Sequence, residues 1–208
     1  MTERGTAVTT AAGLEGILGV ATGPAATKVR HELGSLDRDW LAAASLGFIA
    51  TTDANGNLDV SPKGDPAGFV RVLDDTTIAI PERPGNRRAD GFHNILQDPH
   101  VGLVFLVPGR GDTLRINGRG TIVSDAPYFD DMLVKGHRPV LALEVDIDEV
   151  FFHCSKAFLR SKAWDPSSWE PTAVPRRAVI AQRLERPDES LEELDAYYGA
   201  AYEAKIYG

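Results

Sequence analysis

The stretch GFIATTDANGNLDVSPKG, residues 47–64, decides the fold class. It begins with an apolar, β-prone run, Phe48–Thr52. That run meets Asp53-Ala54-Asn55-Gly56, residues that tolerate the positive φ of a tight turn. A returning strand is expected from about Asn57 to Ser61. Two short runs joined this way form a hairpin, and hairpins build antiparallel sheets.

The neighbouring segments extend the pattern. Upstream, SLDRDWLAAASLGF (35–48) places Leu36, Trp40, Leu41 and Ala44 at helical spacing. A helix is expected over about 37–45, with Ser35 as its N-cap. Downstream, GFVRVLDDTTIAIPE (68–82) reads as a second hairpin, Phe69–Leu73 pairing with Thr77–Pro81 across Asp74-Asp75. A helix over about 88–97 follows and stops at Asp98-Pro99. HVGLVFLVPG (100–109) is almost continuously apolar, the pattern of a strand buried on both faces. DTLRINGRGTIVSD (112–125) alternates, and Gly118 and Gly120 inside it point to a bulge or sharp coil. VLALEVDIDEVFFHC (140–154) alternates as well. Six or seven short strands with close turns, short helices and no βαβ alternation give a mainly β fold, an antiparallel barrel.

Three regions follow: an extension over residues 1–34, a barrel domain over 35–165, and a C-terminal arm and helix over 166–208. In the first, LEGILGVATGPAATKV (14–29) is apolar enough to pack on the domain or on a partner subunit. The arm carries Pro166, Pro171, Pro175 and Pro187 and is expected to be extended around AVIAQRL (178–184). Ser190 and the glutamates after it then start an amphipathic helix.

Composition removes several function classes. The formal net charge of -8 opposes non-specific nucleic-acid binding, which needs a broad basic field. Cys154 stands alone, which excludes a disulfide within the chain and a CxxC zinc site. His31, His93, His100, His137 and His153 are not at metal-ligand spacing, so no metal is expected. GxSxG and GxGxxG are both absent. No apolar run reaches the roughly 18 residues of a membrane span. The first residues lack the basic start and apolar centre of a secretion signal. A cytoplasmic protein without membrane or nucleic-acid partners is the expectation.

The chemistry concentrates in IPERPGNRRADGFHNILQDPH, residues 80–100. A helix dipole disfavours cations at its start, yet Arg87 and Arg88 stand there. An anion held between them, with Asn86 as N-cap, removes the conflict, because guanidinium forks suit phosphate oxygens. The other reading is that the arginines pair with Glu82, Asp90 or solvent. Lys63, at a strand end beside a glycine, either points into a pocket mouth, where it favours an anionic ring, or is solvated. Thr113, Arg115 and Asn117 share a strand face that meets a ligand, a partner or water. Lys156 and Arg160 are i,i+4 neighbours, with Trp164 one turn on. That face either embraces an aromatic anion or is a surface helix with a buried indole.

In this order the segments resemble the pyridoxamine 5'-phosphate oxidase-like flavoproteins, which have the FMN-binding split-barrel fold. The resemblance spans about residues 35–165 and rests on 47–65, 68–96, 101–120 and 153–164. It implies a homodimer with two FMN sites at the subunit interface. Asn86, Arg87 and Arg88 would meet the phosphate. Ile80 and Pro81 would run along the ring or ribityl chain. Val60, Ser61 and Lys63 would contact the ring, and Thr113 would touch the flavin. Lys156, Arg160 and Trp164 would complete the site from the other subunit. The activity implied is that of an FMN-dependent oxidoreductase acting on a small molecule. The alternatives are a non-enzymatic flavin or electron carrier, and a split barrel that uses deazaflavin or haem. The arginine and histidine with which the vitamin oxidase binds substrate near its C-terminus are not recognisable in PDESLEELDAYYGAAYEAKIYG (187–208).

Overall fold

Strand pairing organises the computed structural model, which describes residues 5–207. The chain runs α1 (Ala11–Leu18), α2 (Pro24–Thr27), α3 (Ser35–Ala43), β1 (Leu46–Thr52), β2 (Leu58–Gly64), β3 (Arg71–Val72) and β4 (Thr77–Glu82). It continues through α4 (Asp90–Ile95), β5 (His100–Leu106), β6 (Thr113–Val123), β7 (Leu141–His153), α5 (Lys156–Ser161), α6 (Arg177–Leu184), α7 (Leu191–Tyr197) and α8 (Ala200–Glu203). The strands form one antiparallel sheet in the order β2-β1-β5-β6-β7-β4-β3. The end strands β2 and β3 do not pair with each other, so the barrel is split.

The hairpin of residues 47–64 forms as its sequence requires. Gly56 takes φ 82, and the Asp53 carboxylate accepts the Asn55 and Asn57 amides at 2.8 and 2.9 Å. The central ladder is β6 on β7, the two longest strands. The expected irregularity is a register shift between Asn117 and Gly118. A Cβ at Gly118 would sit 2.1 Å from the Asp146 carbonyl oxygen, so only glycine permits the approach. Leu41, Ile78, Ile80, Leu103, Leu114, Ile116, Leu143 and Val150 fill the interior.

Several expectations need correction. The first barrel helix starts at Ser35 with Gly34 as N-cap, because the Asp37 carboxylate accepts the Gly34 amide at 2.8 Å. Asp37 is fully buried and also takes the Arg30 guanidinium, which satisfies its charge. β5 is fully buried on one face only, since Gly102 and Val104 look outward from the barrel. The proline-rich arm is not extended. It makes two short 3-10 turns, Pro166–Ser168 and Pro171–Ala173, and then α6. Its end matches expectation: Ser190 and Glu193 form a reciprocal capping box on α7. Ala178 and Ala181 of α6 and Leu194 of α7 make a small separate core. The apolar α1 buries no residue, and the segment 14–29 touches the barrel at its end, where Lys28 donates to the Phe152 carbonyl at 3.0 Å and lies 5.0 Å from the Phe151 ring centre.

Gly118→Ala should lower stability by about 3 kcal/mol or more, as overpacking against backbone does. Gly102→Ala is the matched control, because its new Cβ would meet only ordinary contacts at 3.6 and 3.9 Å. Urea midpoints of the two variants check this, and equal midpoints would contradict the close approach.

Candidate functional site

One cleft gathers Ser61, Lys63, Asn86 and Arg88 of the residues noted in the sequence. It is built from β2, the end of β4, the 83–89 turn and α4. In β2 the side chains alternate, with Asp59, Ser61 and Lys63 half-buried and Leu58, Val60 and Pro62 exposed. This inverts the usual rule for a strand, in which the apolar side faces in. The inward polar row lines a cavity of about 550 Å³, a size suited to a small-molecule ligand.

Ser61 donates to Asp59 at 2.7 Å. The Lys63 ammonium pairs with Glu82 and lies 5.2 Å from the Phe92 ring centre. Asn86 and Arg88 line the opposite wall. The Asn86 side-chain oxygen accepts the Arg88 amide at 3.0 Å, and the Arg88 guanidinium donates to Asp90 at 2.7 Å. That ion pair raises the Arg88 pKa further above its ordinary value. Tyr202, from α8, closes one side.

The two arginines are not inside the helix. α4 begins at Asp90, and its N-cap is Ala89, which has φ 54 and makes no side-chain cap. Asn86 therefore stabilises the preceding turn and does not cap α4. Arg87 takes φ 62, so left-handed residues flank Arg88 on both sides. Such conformations are uncommon outside glycine and asparagine, and they recur at ligand-binding turns.

The remaining sequence-derived residues divide clearly. Arg87 is exposed and does not line the cleft. Ile80 is a core residue, and Pro81 is buried beside it in β4. Val60 faces outward, away from the cleft. Thr113 is buried at the far end of β6, paired with His153. Lys156 and Arg160 are exposed on α5. Trp164 stacks on Phe158, with ring centres 5.8 Å apart, and donates to the Arg110 carbonyl at 2.7 Å. None of these eight lines the cleft within one chain.

Among the lining residues not assigned to the site in the sequence are Asp59, Phe92 and Tyr202, and Glu82, weighed there as an arginine partner, pairs with Lys63 instead. Asp59 was accessible from alternation, because it shares a strand face with Ser61 and Lys63. Arg83 was also missed. It donates to Asp65 at 2.6 Å and to the Met132 and His137 carbonyls at 2.7 and 3.2 Å. No metal-binding cluster of His, Cys, Asp and Glu occurs among the described residues. Among them, too, no helix is long and apolar enough to cross a membrane.

The family model for pyridoxamine 5'-phosphate oxidase matches residues 37–154, more than half of the chain. The chain belongs to this family. The oxidase-family match contains the whole barrel and every cleft residue except Tyr202. None of the curated proteins matches the chain. Among solved structures, a presumed pyridoxamine 5'-phosphate oxidase from Lactobacillus delbrueckii is 27% identical, with a TM-score of 0.46. It covers 60% of this chain and 99% of its own. HupZ of Group A Streptococcus is 19% identical over 58% of this chain and 93% of its own, with a TM-score of 0.46. An FMN-binding protein from Syntrophomonas wolfei is 15% identical over 57% of this chain and 89% of its own, with a TM-score of 0.43.

The tail reaches the same region. The Tyr207 hydroxyl donates to Asp65 at 2.8 Å, and its ring stacks on His137. Partial burial, and then the Asp65 carboxylate, raise the Tyr207 phenol above its ordinary value. A raised value in the folded state means that this tether is fully present below about pH 10 and is lost as pH rises through the higher folded value. Limited proteolysis of the C-terminal segment should therefore accelerate above about pH 10. Tyr207→Phe should be cut faster already at pH 8. Identical cleavage of the two proteins at pH 8 would contradict the tether.

Proposed function

We propose that the protein is an FMN-dependent oxidoreductase that holds its flavin in the cleft of β2, β4 and the 83–89 turn. The observation that carries this is the turn itself, which sets Arg88 between two left-handed residues at the cleft wall, with Arg87 beside it. The Arg88 amide is taken by the Asn86 side chain, so the donors offered to an anion are the two adjacent guanidinium groups, whose forks suit phosphate oxygens. The lining carries Lys63 and Arg88 against Asp59, Glu82 and Asp90. A phosphate therefore fits where Arg88 turns from Asp90 towards it and Arg87 swings in from solvent. Lys63, paired with Glu82 at the other end, supplies a cation for the electron-rich edge of the ring. FMN, when bound, supplies the hydride or electron chemistry, and the chain binds and orients it.

The outer face of β1 and β2 supports a homodimer. Phe48 pairs with Pro62, Ala50 with Val60, and Thr52 with Leu58, so these side chains share one face. Val60 is 62% exposed and Leu58 79% in the single chain. An apolar row facing water on an edge strand marks an interaction surface. Two copies meeting there would cover it and bring Val60 towards the partner's cleft. Lys156 and Arg160, exposed and outside the cleft of their own chain, then serve the partner's, with Trp164 held beside them by Phe158 and the Arg110 carbonyl.

Replacing both Arg87 and Arg88 with Ala should weaken FMN binding by about 2–5 kcal/mol, the loss of two charge-assisted contacts. Quenching of FMN fluorescence during titration reads this. Unchanged affinity would remove the phosphate cradle. Separately, Val60→Glu should shift the protein from twice the chain mass to the chain mass in sedimentation equilibrium. A monomeric parent protein, or a dimeric variant, would exclude this face as the interface.

A further inference from the structure

A second cavity adjoins the Arg83–Asp65 ion pair. It measures about 440 Å³ and shares no lining residue with the cleft. Lys63 and Glu82 line the cleft, whereas Pro66 and Arg83, further along the same two pieces of chain, line this cavity. Its walls come from α3, from residues 66–72 and from residues 131–134. Two of those walls are pinned. The Gly68 amide donates to the Ala44 carbonyl at 3.0 Å, and Arg83 donates to the Met132 carbonyl at 2.7 Å.

The lining carries three guanidinium groups, Arg38, Arg71 and Arg83, against one carboxylate, Asp131, in a chain of formal net charge -8. Arg83 is committed to Asp65 and to two carbonyls, so it serves as wall. Arg38 and Arg71 are more exposed than Arg83 and stand at the mouth. Arg38 pairs with Asp75, which lies outside the lining, and Arg71 pairs with Asp131 at 2.9 Å. Both acids are exposed. Ion pairs of this kind are weak, so each guanidinium turns to a competing anion at little cost. Two forked donors at one mouth suit a carboxylate.

The floor has the opposite character. Phe69, Val70 and Met132 are core residues that reach the cavity from below, and Val72, Leu133 and Val134 flank them. None of these six side chains carries a hydrogen-bonding group beyond the Met132 thioether, and five of the six are aliphatic. A cavity with an aliphatic floor and two cations at its mouth selects an apolar body that ends in one negative charge. We propose that this cavity is a binding site for a small aliphatic carboxylate. The carboxylate lies between Arg38 and Arg71, and the chain covers the floor from Phe69 to Met132. The site does not rest on the flavin reading of the cleft.

The test uses the full chain and calorimetry with hexanoate, with hexanamide as its uncharged match and acetate as the charge without the body. Hexanoate should bind at least about tenfold tighter than hexanamide, the scale of one hydrogen bond to a charged group. Each buried methylene adds about fourfold, so acetate should bind at least about tenfold more weakly than hexanoate. Arg38→Gln combined with Arg71→Gln should abolish the preference for hexanoate over hexanamide. Arg138→Gln, an exposed arginine outside the lining, should leave it intact. Saturating FMN should leave hexanoate binding unchanged. Equal binding of hexanoate and hexanamide, or of hexanoate and acetate, would overturn the site. So would a preference that survives the double variant or is lost in Arg138→Gln. Displacement of hexanoate by FMN would move the carboxylate into the flavin cleft and likewise overturn a separate site.

Discussion

Arg83 is the group on which the arrangement of the cleft depends. Its guanidinium is 12% exposed and its partner Asp65 is 2% exposed. Asp65 follows the end of β2, and Arg83 follows the end of β4. The pair therefore joins the two strands whose ends form the cleft. The same guanidinium binds the Met132 and His137 carbonyls, and Asp65 also accepts Tyr207. A buried pair satisfied on every side is stable. Removal of one partner leaves an uncompensated charge, at a cost of about 3–5 kcal/mol. Four separate pieces of chain meet at this one ion pair: β2, β4, the 132–137 segment and the tail.

The edge strand β2 shows how site and surface are specified together. Its polar residues face the cleft and its apolar residues face out. In an isolated barrel that is the unfavourable choice, because Leu58 and Val60 meet water. It becomes favourable where the cleft holds a polar ligand and the outer face is covered. The strand's alternation thus ties the proposed flavin site to the proposed dimer face.

Much of the barrel was legible because its signals are local. Asp53, Asn55 and Gly56 define their hairpin without help from the rest of the chain, and Gly118 announces the bulge by the absence of a side chain. Lys63, Asn86 and Arg88 stood out at a strand end and a turn, again local features, whereas Ser61 came only with the family resemblance. What was not legible depends on distant contacts. Arg83 looks like any turn arginine until Asp65, Met132 and His137 come together around it. Tyr202 reaches the cleft only because Tyr207 is tethered far back along the chain. Asn86 looked like a helix cap, but the helix starts later, since Arg87 and Ala89 adopt left-handed conformations that the sequence does not advertise. Lys156, Arg160 and Trp164 form a local cluster on α5 and the turn after it, outside the cleft of their own chain.

The most direct measurement is the visible absorbance spectrum of the freshly purified protein, followed by heat release and identification of the chromophore, and by titration with FMN. A flavin spectrum with FMN released, or stoichiometric uptake of added FMN, is the expected result. A colourless protein that also fails to bind added FMN would contradict the central claim.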